Sequence, residues 1–177
     1  GPSWAYKSNH IGLTILNNNF DKTYDKLLFK SEDNEAFFNS SVCQGKDGYV
    51  MAVEVKGDGL TSFSVKFKHS KNLIDWKDIG KILFSQKYAA CPTIRFYKGF
   101  YYIFYLNKDG YDDTYNLSTQ MIRTIDFINF EEYPGNEIFT PYVAVLSSNG
   151  FSNEGKNNSD IDFVEYQGKI YFFYHAG

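Results

Sequence analysis

The sequence predicts an all-β chain, a β-propeller of four-stranded antiparallel blades that is incomplete over these residues. Three observations carry this expectation. A strand–turn–strand unit recurs at Asn39–Val55, Ala89–Leu106 and Ser159–Ala176, with Gly48, Gly99 and Gly168 at the apparent turns. The polar turn from Ser70 to Trp76 returns from Thr124 to Phe130 at a constant 54-residue step. No stretch reads as a convincing amphipathic helix, while aromatic residues reach 19% of the chain through 15 Tyr and 17 Phe. Aromatic and β-branched residues suit a pleated, half-buried surface, and internal repetition is the sequence signature of repeat architectures.

Taken in order, His10–Leu16 and Lys26–Lys30 are short apolar runs that predict two leading strands around the polar Asn17–Asp21. The leading segment covers residues 1–36, and its opening Gly1-Pro2-Ser3 reads as the remnant of a cleaved expression tag. A first blade is expected over about 37–84, its third strand at Ser62–His69, which alternates apolar and polar. A second is expected over about 88–133. Its strands Cys91–Tyr97 and Phe100–Leu106 flank Lys98-Gly99, and its third strand is Ser118–Arg123. Residues 134–158, rich in Gly, Pro, Asn and Ser, predict long loops. Half of a third blade follows over 159–177, giving about two and a half blades after the leading segment. Propellers typically close with four to eight blades. The chain is therefore read either as a fragment of a longer protein or as one that completes its ring by self-association or with a second chain.

Composition narrows the function. A net charge of −3 gives no basic footprint for nucleic acid, and no apolar run has the roughly 20 residues of a membrane-spanning helix. Cys43 and Cys91 are too few for a disulfide scaffold and read as free thiols. The compartment is not legible, with a secreted or periplasmic setting slightly favoured over a cytoplasmic one.

Two patterns resemble a known group. Cys91-Pro92-Thr93-Ile94, followed by Gly99-Phe100-Tyr101-Tyr102-Ile103-Phe104-Tyr105, is similar to the strand pattern Asp-Pro-x-aliphatic … Gly-x-Tyr-Tyr-aliphatic-x-Tyr. Ser70-Lys71-Asn72-Leu73-Ile74-Asp75-Trp76 is similar to the turn Ser-x-Asp-Leu-x-x-Trp. Together they resemble the five-bladed propeller glycoside hydrolases, the families numbered 43, 32 and 117, over about Phe37–Gly177.

The resemblance implies a carbohydrate substrate, an oligo- or polysaccharide. It also implies a central pocket lined by the first residues of each innermost strand, where the family places one acid per blade. Glycoside hydrolysis needs two carboxyl groups flanking the scissile bond. Carried onto this chain, the acid positions fall at Asn39, at Cys91 and at Ser159 or Asp160. Asn39 and Cys91 thus become candidate substrate-binding residues of the pocket wall, because an amide or a thiol does not replace a carboxylate base. Asp160 and Asp162, two apart on a strand and so expected on one side, are the catalytic candidates. His175 joins them as a proton donor of the kind ascribed to the neoagarobiose hydrolases. Glu35 at the rim and Arg95 as a clamp for sugar oxygens are further substrate-binding candidates. Each has a plainer reading: a strand cap for the aspartates, a buried hydrophobe for Cys91, a core histidine for His175, a solvated loop for Glu35, a surface ion pair for Arg95. No cofactor and no catalytic metal is expected. A structural Ca2+ in the channel is the one ion the resemblance leaves open.

Overall fold

The computed structural model describes residues 9–60, 63–83, 87–109, 116–135 and 158–176. All the regular structure among them is strand. A hairpin comes first, β1 (His10–Leu16) with β2 (Lys22–Lys30). Sheet 1 is a meander of β3 (Glu35–Gly45), β4 (Gly48–Gly57), β5 (Ser64–Ser70) and β6 (Lys77–Leu83). Sheet 2 repeats it with β7 (Ala90–Tyr97), β8 (Phe100–Asp109), β9 (Asn116–Thr124) and β10 (Glu131–Glu132). A second hairpin, β11 (Asn158–Tyr166) with β12 (Lys169–Ala176), ends the chain. This all-β architecture of antiparallel four-stranded meanders fits the predicted partial propeller.

The turns explain the meander. Lys98-Gly99 and Gln167-Gly168 have positive φ throughout (46° and 87°; 52° and 72°), which matches the right-handed twist of the flanking strands. The first hairpin differs from the sequence reading. Gly48 already pairs with Gly45 as the first residue of β4, so the turn is Lys46-Asp47. Counted from these turns, Asn39, Cys91 and Asp160 stand at the same distance along their strands. Near that point each strand loses its register: between Phe37 and Ser40, between Ala90 and Thr93, and between Ser159 and Asp162. A β-bulge of this kind bends a strand and re-aims a side chain.

The layers stack through apolar faces. Sheets 1 and 2 share the core of Val50, Ala52, Val65 and Phe67 against Ile94, Ile103, Ile122 and Phe127. On the other face of sheet 1, Phe29 of the first hairpin meets Phe37 edge-on at 5.8 Å, over Met51, Val53 and Val55. On the other face of sheet 2, Phe104 packs against Phe163 and Phe172 of the second hairpin. Burying a Phe or Leu side chain contributes about 1.5–3 kcal/mol, so these seams hold successive layers together.

The two repeated turns do part of this docking. In each, a hydroxyl, Ser70 Oγ or Thr124 Oγ1, accepts from the backbone N–H two residues on at 3.2 Å. A side-chain oxygen, Asn72 Oδ1 or Asp126 Oδ1, accepts two more N–H groups at 2.8–3.0 Å. Each turn carries a residue with positive φ, Leu73 (66°) and Phe127 (60°). Phe127 is buried against Phe67 and Tyr101, and its carbonyl accepts from Lys81 N–H at 3.0 Å. A Cβ on Gly80 would stand 2.2 Å from that carbonyl oxygen, so the close approach requires glycine there.

Candidate functional site

The first strands of the successive layers, β3, β7 and β11, lie side by side. From β7, Ile94 N–H donates to Ser41 Oγ of β3 at 3.2 Å. On its other side, Thr93 Oγ1 donates to the Ile161 carbonyl of β11 at 2.8 Å. Three strand openings are thereby brought to one place.

The residue at the centre of this place is one the sequence reading passed over. Glu54 lies in β4, opposite the bulge of β3, and is 3% exposed. Its Oε2 accepts from Asn39 Nδ2 at 2.7 Å and from the Cys91 N–H at 2.8 Å. One carboxylate thus ties sheet 1 to the opening of sheet 2. Burial raises the Glu54 carboxyl above the usual range, against the opposing effect of the groups that donate to it. A signal was available: in Tyr49-Val50-Met51-Ala52-Val53-Glu54-Val55 a single acid interrupts a buried apolar run, and Glu is seldom fully buried unless paired.

Asn39 also donates from Nδ2 to Cys91 Sγ at 3.4 Å. Cys91 sits on its bulge with φ of 48°. Its thiol is pushed up to about 12, first by burial and then by the negative charges of Glu54 and Asp160. It is protonated at neutral pH and is no nucleophile there. Cys43, buried and also free, is pushed up to about 11 by burial. Asp160 has the same left-handed backbone, φ 56°, on β11. It lines a shallow depression with Cys91, Phe104, Tyr105, Leu106, Thr119 and Ile161. Asn39, Cys91 and Asp160 therefore converge, beside a buried Glu54.

The remaining candidates go elsewhere. Asp162 is separated from Asp160 by the bulge and pairs with Arg95, Nη2 to Oδ1 at 2.6 Å. Arg95 also donates to the Ile94 carbonyl at 2.8 Å and lies over the Phe163 ring at 5.5 Å. Asp162 is thus engaged by Arg95, while Asp160 lines the depression beside Cys91. Glu35 pairs with Lys66 and lines a separate depression with Asp33, Asn34, Lys56 and Asp58. The backbone of His175 pairs with Ser159, and its side chain lies outside the described residues. Among the described residues no group of three or more His, Cys, Asp or Glu is placed to hold a metal ion. No helix among them is long and apolar enough to cross a membrane.

No family model matches the chain, and no curated protein matches it. Solved structures do. One, a BT0996 RGII complex, aligns with a TM-score of 0.60 at 17% identity, over 80% of this chain and 42% of its own length. Another, described as "Glycoside hydrolase", aligns with a TM-score of 0.59 at 15% identity, over 98% of this chain and 54% of its own length. At these identities the likeness is one of fold, and the chain spans about half the length of either structure.

Proposed function

We infer that the protein is carbohydrate-active, of the glycoside hydrolase propeller type, and that an oligo- or polysaccharide binds where β3, β7 and β11 open. The observation carrying this reading is the convergence of Asn39, Cys91 and Asp160 beside buried Glu54. The glycoside hydrolase fold likeness supports it.

In this reading Asp160, exposed at the depression, is the carboxyl group that meets the sugar. Asp162, held by Arg95, is the second carboxylate, and His175 is the auxiliary proton donor. Asn39, Cys91 and Arg95 shape the wall, while Glu35 acts from the rim. Glu54 is too buried to touch substrate and acts as a positioning residue through Asn39 and the Cys91 backbone. Turnover requires a second carboxyl across the scissile bond from Asp160. Screening aryl glycosides and oligosaccharides tests the reading. Activity is expected to fall in Asp160→Asn and in Asp162→Asn, and activity unchanged in both would remove them from the mechanism.

A second reading is a non-catalytic glycan-binding propeller. It is favoured by the amide of Asn39 and the thiol of Cys91 at two of the three converging positions. Saturable glycan-array binding without turnover, weakened in Asn39→Ala, would select it over hydrolysis. No binding and no turnover would set both readings aside.

A further inference from the structure

Asn39 lies exposed on β3, and both hydrogens of its amide are taken. Nδ2 donates one to Glu54 Oε2 at 2.7 Å and one to Cys91 Sγ at 3.4 Å. Glu54 decides which way the amide turns. Its Oε2 also receives the Cys91 backbone N–H at 2.8 Å, a group that can only donate. An amide oxygen 2.7 Å from that carboxylate oxygen would set two acceptors against each other, so the nitrogen turns inward. What Asn39 leaves for a ligand is Oδ1, an acceptor.

The groups beside it have the same polarity. Asp160, exposed on β11, lines the depression with Cys91 and brings a carboxylate, which accepts only. Cys91 Sγ already accepts from Asn39, and its S–H is a weak donor. The cation expected to hold sugar oxygens is spent elsewhere. Arg95 gives Nη2 to Asp162 at 2.6 Å, and Nη1 to the Ile94 carbonyl at 2.8 Å and to Ser41 Oγ at 3.4 Å. The arrangement also accounts for an amide where the repeat calls for an acid. An Asp in place of Asn39 would face Glu54 across 2.7 Å, and two carboxylates that close do not both ionise.

We propose that Glu54 determines specificity: by turning the Asn39 amide it makes the opening an acceptor, so that the sugar enters as the donor, with free hydroxyls and no negative charge. Hydroxyls satisfy Asn39 Oδ1 and Asp160 by donating to them. A uronic acid residue instead sets acceptor against acceptor and charge against charge, which an interface rejects strongly. Glu54 exerts this control from a buried position, 3% exposed, without touching the sugar. The proposal rests on the carbohydrate reading above and names the kind of sugar that site takes.

A glycan array of neutral oligosaccharides, each beside its uronic acid counterpart and its methyl ether, tests it. The parent chain is expected to bind a neutral glycan at least about tenfold more tightly than the uronate, a difference well within the cost of facing like charges. The methyl ether, which cannot donate, should bind as poorly as the uronate. Glu54→Met removes the acceptor and frees the amide, and should narrow the preference to within about threefold. Glu54→Gln keeps an acceptor for both donors and should keep the preference. Equal or tighter binding of uronates or methyl ethers by the parent would overturn the proposal. So would a preference that survives Glu54→Met, or one that Glu54→Gln abolishes as fully, since charge rather than amide orientation would then be the cause. If circular dichroism shows Glu54→Met unfolded, the parent and Glu54→Gln decide. Absence of binding to any glycan would instead fell the carbohydrate reading itself, and this proposal with it.

Discussion

Sheets 1 and 2 use the same turn with its chemistry exchanged, and they open onto the site with different residues. In the turn of sheet 1 Asn72 Nδ2 donates to Asp75 Oδ2 at 2.8 Å, and in that of sheet 2 Asn129 Nδ2 donates to Asp126 Oδ2 at 2.9 Å. Amide and acid have traded places, and the bond remains. Opposite the strand bulges nothing is kept. Sheet 1 has Glu54, tied to Asn39 and Cys91, where sheet 2 has buried Tyr105, whose hydroxyl donates to Gln120 Oε1 at 2.9 Å. The turn serves the scaffold and tolerates any pair that rebuilds its hydrogen bonds. The bulge serves the site, where each layer contributes something different.

The largest expected difference lies in docking. Phe127→Ala empties the seam between the sheets and should cost about 3–5 kcal/mol in urea unfolding. Leu73→Ala, at the matching and only half-buried position, should cost less than half of that. Equal losses would mean that the sheets are not held together through Phe127.

Next comes the bulge. Glu54→Ala leaves the half-buried Cys91 N–H without its acceptor and Asn39 Nδ2 with only Cys91 Sγ, at about 1–3 kcal/mol. Tyr105→Phe removes one hydrogen bond, at about 1 kcal/mol. Glu54→Gln, which keeps an acceptor, should lie between the parent and Glu54→Ala.

The dependence on pH should then separate the sheets by sign. The folded-state pKa of Glu54 is raised above 4.5. Its contribution to stability is present below that value and is lost as pH rises through the higher folded value. Asp126, whose carboxylate accepts the N–H groups of Asn129 and Ile128, is lowered from 3.8 to about 2. Its contribution is present above 3.8 and is lost as pH falls toward 2. Urea midpoints across pH should show the first effect vanish in Glu54→Gln and the second in Asp126→Asn.

The smallest effect is the exchange itself. Asn72→Asp with Asp75→Asn gives sheet 1 the arrangement of sheet 2, and the double variant should stay within about 0.5 kcal/mol of the parent.

These contrasts explain what could be read in advance. The strand pattern and the repeated turn were legible because alternation, turn glycines and a hydroxyl followed by an Asx residue are local signals. The convergence of Asn39, Cys91 and Asp160 was legible through the repeat, even though Gly48 marked the wrong residue of its turn. Glu54 was missed because its importance comes from β7, which contributes the Cys91 N–H from 37 positions away. The separation of Asp160 from Asp162 was missed because strict alternation fails at a bulge, and a bulge has no fixed sequence signature. The ion pair of Arg95 with Asp162 is likewise a product of layers meeting, whereas that of Glu35 with Lys66 joins β3 to β5 within sheet 1.

The claim on which the site depends is that three layers converge on Cys91, and the titration of that thiol tests it. In a Cys43→Ala background, the pH midpoint of Cys91 alkylation by iodoacetamide should lie far above the ordinary thiol value of 9.0, near 12. Glu54→Gln, in sheet 1, and Asp160→Asn, in the second hairpin, should each move that midpoint down. A midpoint near 9, or one that neither substitution moves, would contradict the convergence.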